Sequence, residues 1–269
     1  MQSHIGIFMG KSAGKFEETR YEKIHNEIFK NSIEASVIVA QEIAQLIKSK
    51  QAENKSCVLG LATGSSPIKV YDELVRMHKE EGLSFSNVIT FNLDEYYPME
   101  PNSINSYVRF MKELLFDHVD ILPENYHVPD GLLTKEQIAD YCHDYEAKIE
   151  ALGGIDLQIL GIGGNGHIGF NESGSLQNSK TRLVALDHIT RVAASKDFFG
   201  LNNTPRTAIT LGVKKIMEAQ RVILLAWGEG KANVIKKSVE DEVTNQIPAS
   251  FLQEHNNAVF VIDKEASSK

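Results

Sequence analysis

Short, uninterrupted apolar runs punctuate the chain and alternate with segments of helical period. Cys57-Val58-Leu59-Gly60-Leu61, Val88-Ile89-Thr90-Phe91, Ile155 to Ile162, Val222-Ile223-Leu224-Leu225 and Ala258-Val259-Phe260-Val261 read as strands, as do Leu183 to Leu186 and Ala208 to Leu211. Between them, Ile33, Val37, Ala40, Ile43, Ala44 and Ile47 recur at helical spacing behind a capping Asn31 or Ser32. Ser103 to Phe116, Tyr141 to Leu152 and Lys231 to Val239 also read as helices, and Pro67 suits the first turn of another. Strands that are apolar throughout, rather than at alternate positions, are buried on both faces. Separated by helices, they predict an α/β fold: a mainly parallel sheet covered on both sides. Ligands of such sheets bind beyond the carboxyl ends of the strands, so the chemistry belongs just after each apolar run.

No internal repeat, low-complexity tract or linker divides the 269 residues. Residues 1–30 are polar and irregular and read as a loosely tied arm, leaving 31–269 as a single domain. The formal net charge of -8 argues against nucleic acid or an anionic membrane as partner, though not against a local basic pocket for a small anion. No apolar run reaches the ~20 residues of a membrane span, and Ile5 to Met9 is too short for a signal segment. The two cysteines, Cys57 and Cys142, lack metal-binding or disulfide spacing and suit a reducing, cytoplasmic location.

Four segments carry chemistry. Thr63-Gly64-Ser65-Ser66, before the Pro67 helix, combines small residues, hydroxyls and a helix N-terminus, all suited to a phosphate; an ordinary capped turn explains it as well. Asn92-Leu93-Asp94-Glu95-Tyr96 sets two carboxylates at a strand end, with Asp94 as a candidate base and solvated surface as the alternative. Gly161, Gly163 and Gly166 satisfy GxGxxG, but His167 and Asn171-Glu172 follow where a helix should open, so no dinucleotide site is expected. His167 with Glu172 five residues on suits proton transfer, the carboxylate orienting the imidazole; a histidine merely hydrogen-bonded in a tight loop is the equal alternative. Finally, Arg191 and Lys231 are cations that solvation alone would explain; Lys231, at a strand end in the flexible Gly228-Glu229-Gly230-Lys231, could reach a phosphate, and Arg191 could add a bidentate contact.

Taken together, Leu59-Gly60-Leu61-Ala62-Thr63-Gly64, Phe91 to Tyr96, Gly166 to Glu172, Thr190-Arg191-Val192-Ala193 and Gly228 to Lys231 resemble the glucosamine-6-phosphate deaminase family from about Val58 to Asp263. The resemblance implies a three-layer αβα Rossmann-like sandwich without a dinucleotide site. It implies conversion of glucosamine 6-phosphate and water to fructose 6-phosphate and ammonia, with no metal or organic cofactor. By position, Asp94 would move the proton between C2 and C1 through an enolamine, and His167 would open the sugar ring with Glu172 and Asn165 completing its relay. Thr63, Gly64, Ser65, Ser66, Arg191 and Lys231 would hold the phosphate.

The chain departs from the family pattern in places. Asn165 stands where many members have Asp; an amide cannot share a proton, so the relay would rest on His167 and Glu172. Ser173 replaces a common Pro, which would loosen the segment 173–180. Some members are hexamers activated by N-acetylglucosamine 6-phosphate; Ser175 and Arg182 match that pattern while Leu176 and Val184 do not, so activation is expected to be weak or absent. A homo-oligomer is compatible with this resemblance. Tyr97 to Pro101 and Phe251 to His255 are most similar to a longer subgroup in which this domain precedes another, so the chain is either a complete short enzyme or one domain of a longer protein. The rival readings are a 6-phosphogluconolactonase-like hydrolase, which needs no base at C2, and a non-catalytic sugar-phosphate sensor.

Overall fold

The computed structural model describes residues 21–269. Ten strands and seven α-helices follow one another along them. The strands are β1 (His25–Phe29), β2 (Cys57–Leu61), β3 (Val88–Asn92), β4 (Asp94–Tyr97), β5 (Tyr126–His127), β6 (Leu157–Leu160), β7 (Arg182–Ala185), β8 (Thr207–Thr210), β9 (Val222–Ala226) and β10 (Ala258–Asp263). The helices are α1 (Ser32–Ala52), α2 (Ile68–Glu81), α3 (Tyr107–Leu114), α4 (Ile138–Ala151), α5 (His188–Ala194), α6 (Val213–Met217) and α7 (Ala232–Val239). Seven strands form a wholly parallel sheet in the order β1-β10-β9-β6-β2-β3-β5. Every residue of β2, β6, β9 and β10 is buried, so helices cover both faces in a three-layer α/β sandwich. Among the described residues, no helix is long and apolar enough to cross a membrane.

Local sequence explains most boundaries. The Asn31 side chain accepts from the amides of Ile33 and Glu34, which starts α1 where the apolar periodicity begins. Pro67 precedes the first residue of α2, and Gly82 ends that helix with φ of 72°. In the sheet, Gly60 lies beneath the side chain of Gln158, its parallel partner on β6; any β-carbon there would occupy the volume of the amide.

The structure corrects the sequence reading in three places. Residues 1–20 of the expected arm lie outside the described residues, but His25–Phe29 is not loosely tied: it is the edge strand β1, paired with Val259–Asp263. An edge strand is half covered, so it lacks the continuous apolar run that marks the others. The runs near 183–186 and 208–211 do not join the parallel sheet. With Asp94–Tyr97 they form a separate antiparallel sheet of order β4-β8-β7. Apolar content marks a strand but not the sheet it joins, and while β8 is mostly buried, β7 is only half-buried. The predicted Ser103 to Phe116 helix starts later, at Tyr107, because the side chain of Ser106 caps it through the amides of Val108 and Arg109.

The close fit at Gly60 predicts that Gly60→Ala destabilises the fold by roughly 1–3 kcal/mol. Adding Gln158→Ala should restore part of that loss in denaturant titrations. Full stability of the single variant would show that Gln158 yields freely.

Candidate active site

A cavity of about 410 Å³ opens at the carboxyl end of the parallel sheet, bounded by the turn Thr63-Gly64-Ser65-Ser66, the glycine-histidine loop, β4, α3 and α5. Its position follows from one break in the sheet. β3 ends at Asn92, and Leu93 then joins both sheets, donating to the Leu61 carbonyl at 3.0 Å and accepting from the Leu211 amide at 2.6 Å. The next residue, Asp94, lies on the antiparallel sheet opposite Thr210 and lines the cavity.

Asp94 is 6% exposed, and burial, reinforced by the neighbouring Glu95 charge, raises its pKa to about 8 against a smaller opposing pull from the Phe170 amide. Gly169 makes this placement possible. Its φ is 56°, and a β-carbon would sit 3.2 Å from Asp94 Oδ2 and 3.1 Å from Thr210 Oγ1. Thr210 Oγ1 in turn accepts from the Phe170 amide at 3.1 Å.

Across the cavity, His167 Nδ1 lies 3.2 Å from Glu172 Oε2 and 3.3 Å from Thr190 Oγ1. Asn165 Nδ2 donates to the same Glu172 oxygen at 2.9 Å, while the other oxygen accepts from the Asp187 amide at 3.2 Å. Burial alone would raise the Glu172 pKa, but the hydrogen bond and charge of His167 and the bonds from Asn165 and Thr190 bring it down to about 2. Glu172 is thus a fixed anion oriented on the imidazole. The glycines of this loop accommodate the histidine rather than a nucleotide: a β-carbon on Gly163 would enter the His167 ring, and one on Gly166 (φ 86°) would meet Ile247 at 2.6 Å.

Thr63, Gly64, Ser65 and Ser66 line the opposite wall, before α2, together with Lys231. The Lys231 ammonium donates to the Ile162 carbonyl at 2.6 Å, and burial lowers its pKa. Trp227, which the sequence reading overlooked, fixes this wall by donating from Nε1 to the Ser66 carbonyl at 2.9 Å. Tyr96 and Tyr107 also line the cavity, the Tyr107 hydroxyl interacting with the side chains of Tyr96 and Thr63. Their type is common in cores, and only the folded chain brings them here.

Arg191 is the exception among the expected residues. Although Ile189, Thr190 and Ala193 of α5 line the cavity, the Arg191 guanidinium donates to the carbonyls of Leu201, Thr204 and Pro205 at 2.9–3.1 Å. The 3.6-residue helical period carries its side chain away from the face that Ile189, Thr190 and Ala193 present. Ser173 donates to Gln246 Oε1 at 2.8 Å beside the Gly174 amide, which bonds the Asn245 carbonyl. The Ser175–Arg182 pair is formed at 3.1 Å, with Arg182 also donating to Asn171 Oδ1. Among the described residues, no cluster of His, Cys, Asp and Glu is placed to hold a metal ion.

Residues 31–261 match the model of the family Glucosamine-6-phosphate isomerases/6-phosphogluconolactonase. A glucosamine-6-phosphate deaminase-like protein of Bacteroides thetaiotaomicron is 53% identical over 249 residues, 93% of this chain but only 38% of that protein. The glucosamine-6-phosphate deaminase of Halothermothrix orenii is 48% identical over 230 residues, covering 86% of this chain and 95% of the other. Among solved structures, a monomeric glucosamine-6-phosphate deaminase of the NagB superfamily superposes with a TM-score of 0.87 at 38% identity, covering 91% and 99% of the two chains. The 6-phosphogluconolactonase of Trypanosoma brucei has a TM-score of 0.73 at 20% identity over 92% and 98%, a likeness of fold.

The burial of Asp94 has a thermodynamic signature. Its folded-state pKa, about 8, lies above the unfolded value near 3.8, so the unfolded state loses its proton first and stability falls as pH rises between the two. Asp94→Asn should therefore raise the melting temperature at pH 9 by at least roughly 2 °C relative to its effect at pH 4. An effect independent of pH would place the ionised Asp94 in solvent.

Proposed function

The chain belongs to the family of glucosamine-6-phosphate isomerases and 6-phosphogluconolactonases, and from that premise we propose that it converts glucosamine 6-phosphate and water to fructose 6-phosphate and ammonia. The observation that carries this reading is the pairing of a buried, strongly basic Asp94 with the His167–Glu172 couple across one cavity. Two proton-transfer stations set apart by opposite environments are what ring opening followed by aldose–ketose isomerisation needs.

Substrate phosphate would lie on the Thr63-Gly64-Ser65-Ser66 turn, meeting its amides, its hydroxyls and the N-terminal end of α2. Lys231 would exchange the Ile162 carbonyl for a phosphate oxygen, a stronger partner for a half-buried ammonium. Binding the remote phosphate fixes where C1 and C2 fall relative to Asp94. His167, held by Glu172, moves a proton between the ring oxygen and the C1 hydroxyl as the pyranose opens to the aldehyde. Ionised Asp94 then takes the proton from C2 while a proton of the substrate ammonium group passes to O1, giving the enolamine. Return of that proton to C1 leaves the iminium at C2, which water hydrolyses to the ketone with release of ammonia. Asn165 keeps Glu172 in place by donation and takes no part in the proton balance.

Lactone hydrolysis requires an activated water but no base poised for a carbon-bound proton. The high identity to deaminases and the low identity to lactonases both support the deaminase reading.

Purified protein given glucosamine 6-phosphate, with no added metal or nucleotide, should release ammonia and fructose 6-phosphate in equal amounts. Release of 6-phosphogluconate from its lactone, with no ammonia from the amino sugar, would replace this reading. Asp94→Asn should lower kcat by roughly 10²–10⁴-fold with substrate binding kept. Lys231→Ala should act mainly on KM, by about 1.5–3 kcal/mol. A variant at Asp94 with normal turnover, or at Lys231 with unchanged KM, would remove that residue from its role.

A further inference from the structure

Glu95 stands beside Asp94 on β4, is 1% exposed, and has no part in the steps above. Alternation along a strand sends its side chain to the face opposite that of Asp94. There it meets the start of α3. Glu95 Oε2 accepts from the Tyr107 amide at 2.8 Å, the Val108 amide at 3.3 Å and the Ser106 hydroxyl at 3.1 Å; Oε1 accepts from the Tyr96 amide at 2.9 Å. Ser106 already caps this helix through Val108 and Arg109, so one helix start receives two acceptors. Four donors and the positive end of a helix dipole are an unusually complete environment for an anion away from water. A helix cap alone needs only a serine or asparagine. A buried carboxylate added to a cap that already works calls for a further reason.

The reason lies in what the two ends of Glu95 reach. Tyr107, whose amide it holds, is the first residue of α3, and its hydroxyl meets Tyr96 and the phosphate-side Thr63. At the other end, the Glu95 charge lies behind the base. We propose that Glu95 is a positioning residue for this reaction: it fixes Tyr107 between the proton-abstracting carboxylate and the phosphate turn, and its negative charge makes Asp94 a stronger base. This inference rests on the reaction proposed above. A carbon-bound proton is a poor acid, and a base with higher proton affinity removes it more readily, provided the base is still ionised at working pH.

The electrostatics agree in direction. Burial and then the Glu95 charge raise Asp94 to about 8, while burial raises Glu95 to about 7 against the pull of its four donors. Other titratable groups face this pair from each side: Tyr96 on β4, Tyr107 on α3, Tyr145 on α4, and His167 and Lys231 across the cavity. Burial holds the three tyrosines neutral throughout the neutral range, Tyr96 at about 12 and the others well above their usual value. Lys231 stands with the phosphate wall and His167 with Glu172, so Glu95 is the charge adjacent to the base.

The test separates charge from capping. Glu95→Gln keeps size and an acceptor but loses the charge; Ser106→Ala loses a cap hydroxyl but keeps the charge. The Asp94 carboxyl would be followed by infrared difference or carbon-detected NMR titration in the ligand-free protein, and kcat/KM for ammonia release across pH. In Glu95→Gln, the Asp94 midpoint and the acid limb of kcat/KM should both fall by about one pH unit or more, with kcat at high pH lowered about tenfold and KM little changed. In Ser106→Ala neither midpoint should move. An unmoved Asp94 midpoint in Glu95→Gln, or equal shifts in both variants, would overturn the proposal. Should Glu95→Gln fail to fold, Glu95→Asp decides: the retained charge should hold the Asp94 midpoint while the shorter side chain loosens α3 and raises KM. A midpoint that falls there too would also overturn it. If the wild-type protein releases no ammonia, the activity reading fails, and the Asp94 titration still decides what Glu95 does.

Discussion

Everything in the cavity depends on how the backbone of Leu93 is shared. Its amide completes the parallel sheet against Leu61, and its carbonyl begins the antiparallel sheet against Leu211. A strand that simply ended at Asn92 would release the chain into a loop, and an acidic residue there would face water. Instead the chain is handed from one sheet to the other within a single residue. Asp94 is thereby held by the β4–β8 ladder on one side and by the close approach of Gly169 on the other. A carboxylate in that setting has few conformations and few waters. Exclusion of water raises its affinity for a proton, and restricted motion would suit a base that must reach a carbon-bound hydrogen.

Placement also explains why two carboxylates, Asp94 in the cavity wall and Glu172 behind His167, behave in opposite ways. Asp94 and Glu172 are each more than nine-tenths buried, so burial pushes both toward the neutral form. The outcome is decided by what surrounds them. Glu172 has the imidazole, an amide and a hydroxyl aimed at it, and is held near 2. Asp94 has another carboxylate for a neighbour and one opposing amide, and rises to about 8. One group is a permanent anion that orients a histidine; the other gains and loses a proton near neutrality. Asn165 fits the first role, because an amide that donates to Glu172 strengthens the anion, as an ionised aspartate at that position would not.

Much of this was legible in the chain, and the remainder has identifiable causes. Strands β2, β3, β6, β9 and β10 were visible because burial on both faces leaves a continuous apolar signature. The ligand edge followed from parallel topology, which drew attention to Thr63, Asp94, His167 and Lys231, all now found around one cavity. The antiparallel sheet was not visible, since β7 and β8 carry apolar content no different from that of a parallel strand. Strand β1 was missed because an edge tolerates Asn26 and Glu27. Tyr107, Trp227 and Thr210 were missed because each makes its contribution through a contact with residues far away in sequence, and nothing in their type announces it. Arg191 shows the converse. Its type and position suit an anion, yet its side chain is on the other side of a short helix, engaged with three carbonyls.

Arg191 and Lys231 together say something about the cost of an anion site. Each cation is half-buried in the ligand-free chain, and each has a backbone carbonyl where a phosphate oxygen would be the stronger partner. For Lys231 the exchange would take place within the cavity, where the lost Ile162 contact would be offset by a charge-assisted bond. For Arg191 it would require giving up three carbonyls of the 201–205 turn and rotating a helical face, so its bonds stabilise the turn in the form described. A substrate phosphate bound as proposed would therefore meet what is already in place: the amides and hydroxyls of residues 63–66, the Trp227 brace behind them, and one lysine. Prior placement of these groups would lower the ordering cost of binding, and under the proposed reaction that saving would let the remote phosphate hold C1 and C2 against a rigid base.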